Sequence, residues 1–462
     1  MKNLIQGRGR RPLPGTALLG GALVLSLTAC DLDTILDVDD PEFATPESLD
    51  NPAGVPVTVA GAIGDFQIAY SGAGNDAYLS VSSLLGDEFY QSDTFETRRA
   101  TDQREQNAPA QGNTSDAAFN RLQYARRSLL DAEGAISAHN VSTARLPELR
   151  ALRGYTYLAL ADGWCSAVPF SQTLKGGVPS NFGSPVNTRA VYDSAIAIFN
   201  QALNHNLAAV GKGRALLAQG RYQEAGAAVA NVPDNFVYFV LHSVNSTRQN
   251  NPIFALMDNG RYGVSDDEGG ATLVTVQGGN DGAGLEYRRD PRIVVSDPRA
   301  GFDPNIVQYV SRLYPDLGAD VPIASGVEAR LIEAEAALQT GNTTRWLQIL
   351  NSLRSNFVTL MRLRYPTVTF TGTLPALTDP GNARAREDLM FAERAYWLYN
   401  TGIRLGDMRR LVREYKRPQE QVYPSGPFHR GGVYGNDVTF PVPFDEVNNP
   451  NYQHSQCDVD KA

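Results

Sequence analysis

Residues 328–341 read Glu328-Ala-Arg-Leu-Ile-Glu-Ala-Glu-Ala-Ala-Leu-Gln-Thr-Gly341, and they carry the unit from which the chain is built. Apolar side chains three and four positions apart give this stretch one helical face that must be buried. Gly341 suits a left-handed helix C-cap, and a second apolar series opens at Trp346. The pattern predicts two helices joined by a tight turn.

The same pattern occurs at residues 214–225. A helix is expected to end near Gly220, and a second one opens with Tyr222 and Ala225. Small residues where helices cross, with Gly at the turn, are typical of tetratricopeptide units. The separation between Gly220 and Gly341 indicates that the repeats are interrupted and do not form a regular array.

Helical periodicity extends over most of the rest of the chain, including a further candidate helix pair at 117–162. We therefore predict a mainly α fold, a tetratricopeptide-like helical repeat scaffold with long irregular ligand-binding loops and few short strands. The repeat helices are expected over about 117–231 and 327–412. The main irregular region is expected over about 232–325, which is rich in Gly, Asp and Pro and carries scattered aromatic residues. Loops with many aromatic side chains should pack onto the scaffold.

The first 29 residues have the features of an export signal. A basic start, including Lys2 and Arg8, is followed by a mostly apolar run from Ala17 to Leu27 that is too short to span a bilayer. The order Leu27-Thr28-Ala29-Cys30 resembles the bacterial lipobox, in which the cysteine thiol is acylated and becomes the new N-terminus. An ordinary signal peptide that happens to end at a cysteine is the alternative.

The expected organisation is a lipoprotein signal peptide over 1–29, an acidic flexible tether over 30–50 and a single helical domain over 51–462. No stretch after residue 30 is long and apolar enough to span a membrane, so lipid on Cys30 is the predicted anchor. The formal net charge is −9, and removing the basic signal makes it more negative. An acidic surface repels phosphate backbones, so we expect no nucleic-acid binding.

Two cysteines remain besides Cys30. An exported protein meets an oxidising compartment, where Cys165 and Cys457 are expected to form a disulfide. Two separate buried thiols are the alternative.

Five stretches, in this order from Cys30 to the C-terminus, resemble the motifs of one known family. They are Ala151-Leu-Arg-Gly-Tyr-Thr-Tyr-Leu-Ala-Leu-Ala-Asp-Gly-Trp164 with Val168-Pro169-Phe170, Asp290-Pro291-Arg292, Glu333-Ala-Glu335 with Asn351-Ser-Leu-Arg354, Glu393-Arg394 with Gly402-Ile-Arg404 and Asp407-Met-Arg-Arg410, and Phe440-Pro-Val-Pro443 with Glu446 and Asn449-Pro450-Asn451. By these stretches the chain resembles the SusD/RagB-like lipoproteins, which bind nutrients at the outer membrane.

The resemblance implies a location and a partner. The protein would be lipid-anchored at the outer membrane, facing the cell exterior, and would cover a SusC-like TonB-dependent transporter. It would capture an oligosaccharide or a peptide and deliver it to that transporter. In the family the helical repeats serve as scaffold and partner-facing surface, while irregular loops form the ligand site.

Loop aromatic residues beside polar ones are the natural sugar contacts, because sugars offer flat apolar faces with polar rims. The candidate ligand-binding residues are Phe89, Tyr90, Tyr287 and Tyr314, with Arg288 and Asn280 as polar contacts. The alternative, that these rings only anchor loops to the core, is at least as strong for each of them.

The sequence offers no motif for catalysis, a cofactor or a metal. The five histidines are spread singly, and Asp266-Asp267-Glu268 lacks the regular ligand spacing of a calcium loop, so a solvated acidic turn is the better interpretation. A non-enzymatic nutrient-binding subunit is thus the leading hypothesis. Two others are a lipid-anchored helical-repeat scaffold protein of the cell envelope that binds no small ligand, and a glycan-degrading surface enzyme.

Overall fold

Helices make up about half of the described residues, and those of the two repeat regions lie where the apolar spacing predicts them. The helices Val55–Tyr70 and Tyr78–Leu85 lie in a stretch for which the sequence predicted no helix. The computed structural model describes residues 46–73, 75–106, 112–173, 179–265 and 285–462. The α-helices of these residues are α1 (Pro46–Leu49), α2 (Val55–Tyr70), α3 (Tyr78–Leu85), α4 (Glu96–Asp102), α5 (Asp116–Ala138), α6 (Leu146–Gly163), α7 (Thr188–Phe199), α8 (Asn206–Leu217), α9 (Tyr222–Val229), α10 (Pro252–Asp258), α11 (Gly326–Gln339), α12 (Thr343–Ser355), α13 (Phe357–Arg364), α14 (Ala383–Trp397) and α15 (Arg404–Arg413).

The repeat scaffold has the predicted turns. Gly220 between α8 and α9 and Gly341 between α11 and α12 have φ values of +70° and +83°, the left-handed conformation that glycine adopts without strain. Side chains also cap the N-termini of α11 and α12. Ser325 accepts a hydrogen bond from the Glu328 amide at α11, and Asn342 accepts one from the Arg345 amide at α12. The predicted mainly α class is confirmed.

Consecutive helices of the scaffold pack against each other. Helix α5 packs on α2 and α6, α6 on α7, α7 on α8, and α8 on α9. The next partner of α9 is α11, although nearly a hundred residues separate them in sequence. The irregular region predicted at 232–325 is therefore an insertion between two helices that pack directly together.

The strands are short and pair in twos, all antiparallel. They are β1 (Phe89–Gln91) with β7 (Tyr262–Val264), β2 (Val168–Pro169) with β5 (Pro185–Val186), β3 (Gln172–Thr173) with β4 (Pro179–Asn181), β6 (Val237–Val240) with β10 (Val321–Ser325), and β8 (Arg299–Ala300) with β9 (Val307–Gln308). The β6–β10 pair joins the two ends of the insertion, with Val321 opposite Val240 and Ser325 opposite Val237. The pair β1–β7 ties the insertion to the N-terminal part of the chain.

A fully buried ion network joins α11, α14 and α15. Arg394 donates to both carboxylate oxygens of Asp407, at 2.7 and 2.9 Å. Arg410 donates to Asp407 at 2.8 Å and to both oxygens of Glu335 at 2.8 Å. Burial alone would raise the pKa of Asp407, but Arg394 and Arg410 lower it to about 2. The two guanidinium groups therefore hold Asp407 ionised.

A second buried carboxylate, Glu393, collects donors from three parts of the chain. Arg292 of the insertion donates to it at 3.0 Å, Arg354 of α12 at 2.5 Å, and the indole of Trp397 at 3.1 Å. Arg292 is also bonded to Asp290 at 2.7 Å. The Asp290-Pro291-Arg292, Arg354 and Glu393 motifs that carry the family resemblance thus meet at one point.

The remaining predictions about organisation concern the N-terminal region. Residues Glu47–Ala462 form one compact unit. The predicted signal peptide, Cys30 and most of the predicted tether lie outside the described residues. The tether's last residues, Pro46–Leu49, form the short helix α1, which opens on a proline, a residue well suited to the first helical turn. Among the described residues, no helix combines the length and the apolar character needed to cross a bilayer.

The network predicts a large cost for removing one buried charge. Glu335→Gln should lower the free energy of unfolding by about 3 to 5 kcal/mol, because the buried guanidinium groups of Arg394 and Arg410 would then have to share the carboxylate of Asp407. Chemical denaturation followed by circular dichroism measures this change. Glu224→Gln, which removes the partner of Arg221 in a surface pair, is the control and should leave the unfolding midpoint unchanged. Equal midpoints for the two variants would contradict a structural role for the network.

Candidate functional site

Two half-exposed phenyl rings flank one guanidinium on the surface of the irregular region. The guanidinium carbon of Arg261 lies 3.8 Å from the ring centre of Phe302 and 5.1 Å from that of Phe95. Phe302 is 52% exposed and Phe95 is 51% exposed, while the Arg261 side chain is 22% exposed. We call these three residues the platform. It offers solvent an apolar surface with a cation in its middle.

Three segments far apart in sequence build the platform, and backbone hydrogen bonds connect them. Ser92, which follows β1, donates its amide to the Arg261 carbonyl at 2.9 Å, and its hydroxyl donates to the Gly260 carbonyl at 2.8 Å. The Phe302 amide donates to the same Gly260 carbonyl at 2.9 Å, and the Asp303 amide donates to the Ser92 carbonyl at 3.0 Å. These hydrogen bonds hold the three backbone segments together in the absence of ligand, and the two rings project from these segments.

A buried carboxylate sets the position of Phe95. Asp93 accepts from the Phe95 amide at 3.0 Å, from the Gln91 side-chain amide at 2.6 Å and from Arg98 at 2.5 Å. The Arg98 guanidinium also lies 4.8 Å from the Phe95 ring centre. Asp93 is completely buried, so its charge is compensated by these bonds.

An ion pair between two loops forms one polar edge of the platform. Arg430 donates to Asp303 at 2.6 Å, and also to the Gln91 side chain at 3.0 Å and to the Asp93 carbonyl at 2.6 Å. Asp303 directly follows Phe302, so this pair holds the turn between β8 and β9 against the segment after β1. The platform thus has an apolar centre and a hydrogen-bonding rim.

This arrangement suits binding. A flat aromatic surface beside fixed polar groups is what the apolar face and hydroxyl groups of a sugar ring require. Among the described residues, no group of three or more His, Cys, Asp or Glu side chains is arranged to hold a metal ion.

Three of the predicted ligand-binding residues are core residues. Phe89 and Tyr287 have no exposed surface and Tyr314 is 2% exposed. Their rings pack on other aromatic residues: Phe89 lies 5.9 Å from Tyr262, Tyr287 lies 4.8 Å from Tyr399, and Tyr314 lies 5.7 Å from Tyr365. Their assignment to ligand contact is corrected here, because a sugar has no access to a ring enclosed on all sides. These three rings instead anchor loops to the core, which was the alternative interpretation.

Tyr90 is also held from within. Its hydroxyl donates to the Val307 carbonyl and accepts from the Tyr309 amide, and burial raises the pKa of Tyr90 to about 12. Since Val307 belongs to β9, this ring supports the turn that carries Phe302 and does not itself present a face to ligand. Arg288 is half-buried with its guanidinium 4.2 Å from the Tyr309 ring centre, and Asn280 lies outside the described residues, as does Asp266-Asp267-Glu268.

Phe95 and Phe302 were not among the ligand-binding residues predicted from the sequence. Both were visible as loop aromatics, but only their surroundings distinguish them from the buried ones. Phe302 stands in Gly301-Phe302-Asp303-Pro304-Asn305, where turn-forming residues on both sides mark a loop tip. Phe95 precedes the polar run Glu96-Thr97-Arg98-Arg99. The local excess of turn and charged residues was the available signal.

The two cysteines paired on the sequence are joined in the structure. Cys165 follows α6 directly, and its Cα lies 5.3 Å from that of Cys457. The Cys165 amide donates to the Phe440 carbonyl at 3.0 Å, and the Trp164 and Phe440 rings lie 5.2 Å apart. The C-terminal segment is therefore fastened to the end of α6 by covalent, hydrogen-bonded and aromatic contacts together.

A groove on the helical scaffold is a concave surface of a different kind. It has a volume of about 460 Å³ and lies among α11, α12 and α13, with Arg330, Gln348, Leu353 and Leu363 in its lining. Its walls mix aliphatic and polar side chains and include no aromatic ring, so it lacks the stacking surface that the platform provides.

Structural comparison gives the fold a name. No family model matches the chain, and the comparison with curated proteins finds no match. Among solved structures, it is similar to a SusD-like carbohydrate-binding protein of Bacteroides vulgatus, with 14% identity and a TM-score of 0.59, covering 86% of this chain and 96% of that one. A SusD-like protein of Bacteroides fragilis gives 15% identity, a TM-score of 0.59 and coverage of 89% and 98%. Surface glycan-binding protein A of Bacteroides uniformis gives 14% identity, a TM-score of 0.56 and coverage of 88% and 100%.

These similarities confirm the SusD-like resemblance at the level of the fold. They extend over nearly the full length of each solved chain, so the insertion and the repeat scaffold are both included. Because the sequence identity is this low, the comparison supports only the fold. The identity of the ligand has to be inferred from the site.

The corrected role of Tyr287 leads to a stability prediction. Tyr287→Ala should lower the free energy of unfolding by about 3 to 5 kcal/mol, because it would leave a cavity beside Tyr399 and Tyr396. Thermal and chemical denaturation measure the loss. Tyr124→Ala, at a tyrosine that is 65% exposed on α5, is the control and should change stability by less than about 0.5 kcal/mol. An unchanged melting temperature for Tyr287→Ala would restore the ligand-contact assignment.

Proposed function

We propose that this protein is a non-enzymatic glycan-binding lipoprotein of the outer membrane, one that captures an oligosaccharide at the cell surface and delivers it to a TonB-dependent transporter. The single observation that carries the binding part is the platform, in which two half-exposed rings flank Arg261 on a hydrogen-bonded backbone. The SusD-like fold supports the same function by resemblance.

The platform favours a sugar over a peptide because of how its apolar surface is arranged. Both rings contact the same guanidinium, so two half-exposed aromatic surfaces on which sugar rings can stack lie close together. The rim supplies Asp303 and Arg430 for hydroxyl groups. The pre-formed backbone lowers the ordering cost of binding, which helps a small, exposed site to hold a hydrated ligand.

Anchoring by lipid on Cys30 belongs to the same proposal. Its support is the order of basic start, apolar run and Leu27-Thr28-Ala29-Cys30. Two acyl chains on one N-terminus would hold the protein stably at a membrane, where a single chain is marginal. Facing outward beside a SusC-like transporter, the protein would pass its ligand directly to the pore.

The helical-repeat scaffold hypothesis keeps one specific observation in its favour. The groove among α11, α12 and α13 is a concave surface on the repeat, where a protein partner is expected to dock. A scaffold protein that binds no small ligand would give the platform no function. We therefore rank the scaffold hypothesis second.

The binding part is tested by removing each ring. Phe95→Ala and Phe302→Ala should each weaken binding of the best ligand from a glycan array by roughly five- to tenfold, because each removes about 1 kcal/mol of stacking. Isothermal titration calorimetry on the detergent-solubilised full protein measures the affinity. Both rings are half exposed, so the unfolding temperature should stay close to that of the parent protein.

Tyr124→Ala is the matched control, since it removes an exposed ring from the helical scaffold. Glycan binding that survives the loss of both phenylalanines would contradict the assignment of the site. Binding to peptides alone would contradict the ligand class, and turnover of a glycan by the pure protein would favour the enzyme hypothesis.

The anchor is tested by chemistry at one thiol. Mass spectrometry of the mature protein should find an acylated N-terminal Cys30, and Cys30→Ser should release the protein from the membrane fraction. The Cys165→Ser, Cys457→Ser double variant loses the disulfide but should stay membrane-bound, because it leaves Cys30 intact. The solubilised parent protein should co-purify with a large β-barrel transporter. An unmodified N-terminus would refute the anchor, and envelope partners without a barrel would favour the scaffold.

A further inference from the structure

Arg261 has hydrogen-bond donors that the described part of the protein does not use. Its Nη1 is buried without an acceptor, and its side chain makes no hydrogen bond within the described residues. The nearest carboxylate oxygen, from Asp93, lies 3.6 Å from Nη1, which is beyond hydrogen-bond length. Its guanidinium carbon lies 3.8 Å from the ring centre of Phe302 and 5.1 Å from that of Phe95.

The acidic side chains around Arg261 make their shorter ion pairs with other arginines, and Asp93 also pairs with Arg261 at 3.6 Å. Asp93 binds Arg98, and its remaining bonds go to the Gln91 side chain and the Phe95 amide. Asp76 also binds Arg98, at 2.6 Å. Asp303 binds Arg430 at 2.6 Å.

Of Arg98, Arg261 and Arg430, Arg261 therefore has the longest ion pair, 3.6 Å to Asp93. Phenyl faces attract a guanidinium, but they accept no conventional hydrogen bond and carry no net charge. A partly exposed guanidinium held between two rings is therefore ready to bind an anion.

We infer that the platform selects an acidic oligosaccharide, with Arg261 binding the carboxylate of a uronic acid or the sulfate of a sulfated sugar. This inference rests on the proposed glycan-binding function. The sugar ring would lie against Phe302 or Phe95 while its anionic group accepts from the guanidinium.

Two physical features favour an anion over a neutral sugar. Hydrogen bonds between ions are about twice as strong as those between neutral groups, and the planar guanidinium matches two oxygens of a carboxylate or sulfate at once. The rings also hold the arginine in place before the ligand arrives, so little side-chain freedom is lost on binding. A neutral sugar would gain the stacking but would leave the charge to water.

The test compares ligands that differ only in charge. Oligogalacturonate and its methyl-esterified counterpart share one backbone, and a sulfated galactan oligosaccharide with its desulfated form gives a second pair. Titration calorimetry on the detergent-solubilised full protein should find each charged member bound about tenfold or more tightly than its neutral partner. The preference should shrink as salt is raised, because the site is partly exposed. The pair with the larger ratio identifies carboxylate or sulfate as the anion.

Arg261→Gln should abolish the preference, so that the charged and the neutral member of each pair bind with equal affinity. Arg261→Lys keeps the charge but loses the planar fork, so it should retain part of the preference. Arg345→Gln, at an exposed arginine of α12, is the matched control and should behave as the parent protein. Phe302→Ala should weaken charged and neutral members alike.

The outcomes separate the two proposals. Equal affinities within both pairs, with binding still weakened in Phe95→Ala and Phe302→Ala, would overturn the acidic-ligand inference and leave the glycan-binding function standing. No binding of any oligosaccharide, charged or neutral, would overturn both. Polyglutamate that binds as tightly as oligogalacturonate would overturn the sugar part, since charge alone would then be recognised.

Discussion

The buried ion network of Glu335, Arg394, Asp407 and Arg410 is the constraint on which the rest of the structure depends. Charges enclosed in protein are tolerated only when each has its partner in good geometry, so the three helices that carry them have one permitted arrangement. Helix α11 is the link between this network and the repeat, because it packs on α9 and α12. The order of helices in the scaffold is thus tied to the closing helices α14 and α15.

The requirement that buried charges be paired also applies to the insertion. Arg292 lies in the irregular region, and its bonds to Asp290 and Glu393 fasten that region to α14. At the other end of the insertion, β6 and β10 are paired across the point where the chain leaves and rejoins the helices. A long segment fastened in this way can present a loop surface with little freedom, which is what a binding site outside a helical core needs. The platform is built from that segment together with the residues after β1.

Stability and binding are divided between different aromatic residues. Phe89, Tyr287 and Tyr314 fill the interior beneath the loops, and Tyr90 supports the β8–β9 turn through its hydroxyl. Phe95 and Phe302 remain at the surface, where both contact the charged guanidinium of Arg261. A platform made in this way combines apolar contact with an anion-binding group, and it fits the capture of a hydrated, chain-like ligand better than the chemistry of bond cleavage.

Helix periodicity, the glycine turns at 220 and 341 and the mainly α class followed from local pattern, because an apolar face at regular spacing has to be buried whatever its partner is. The motifs Asp290-Pro291-Arg292, Glu335, Glu393-Arg394 and Asp407–Arg410 also pointed to the fold, although nothing in their spacing reveals that they meet as ion pairs. Which aromatic residues reach solvent was beyond the sequence: Tyr287 and Phe302 both stand in polar loops, yet one is enclosed and the other half exposed. Exposure depends on the residues that arrive from distant segments, here Ser92 and Gly260 beside Phe302 and Tyr399 beside Tyr287. Those contacts exist only once the chain has folded.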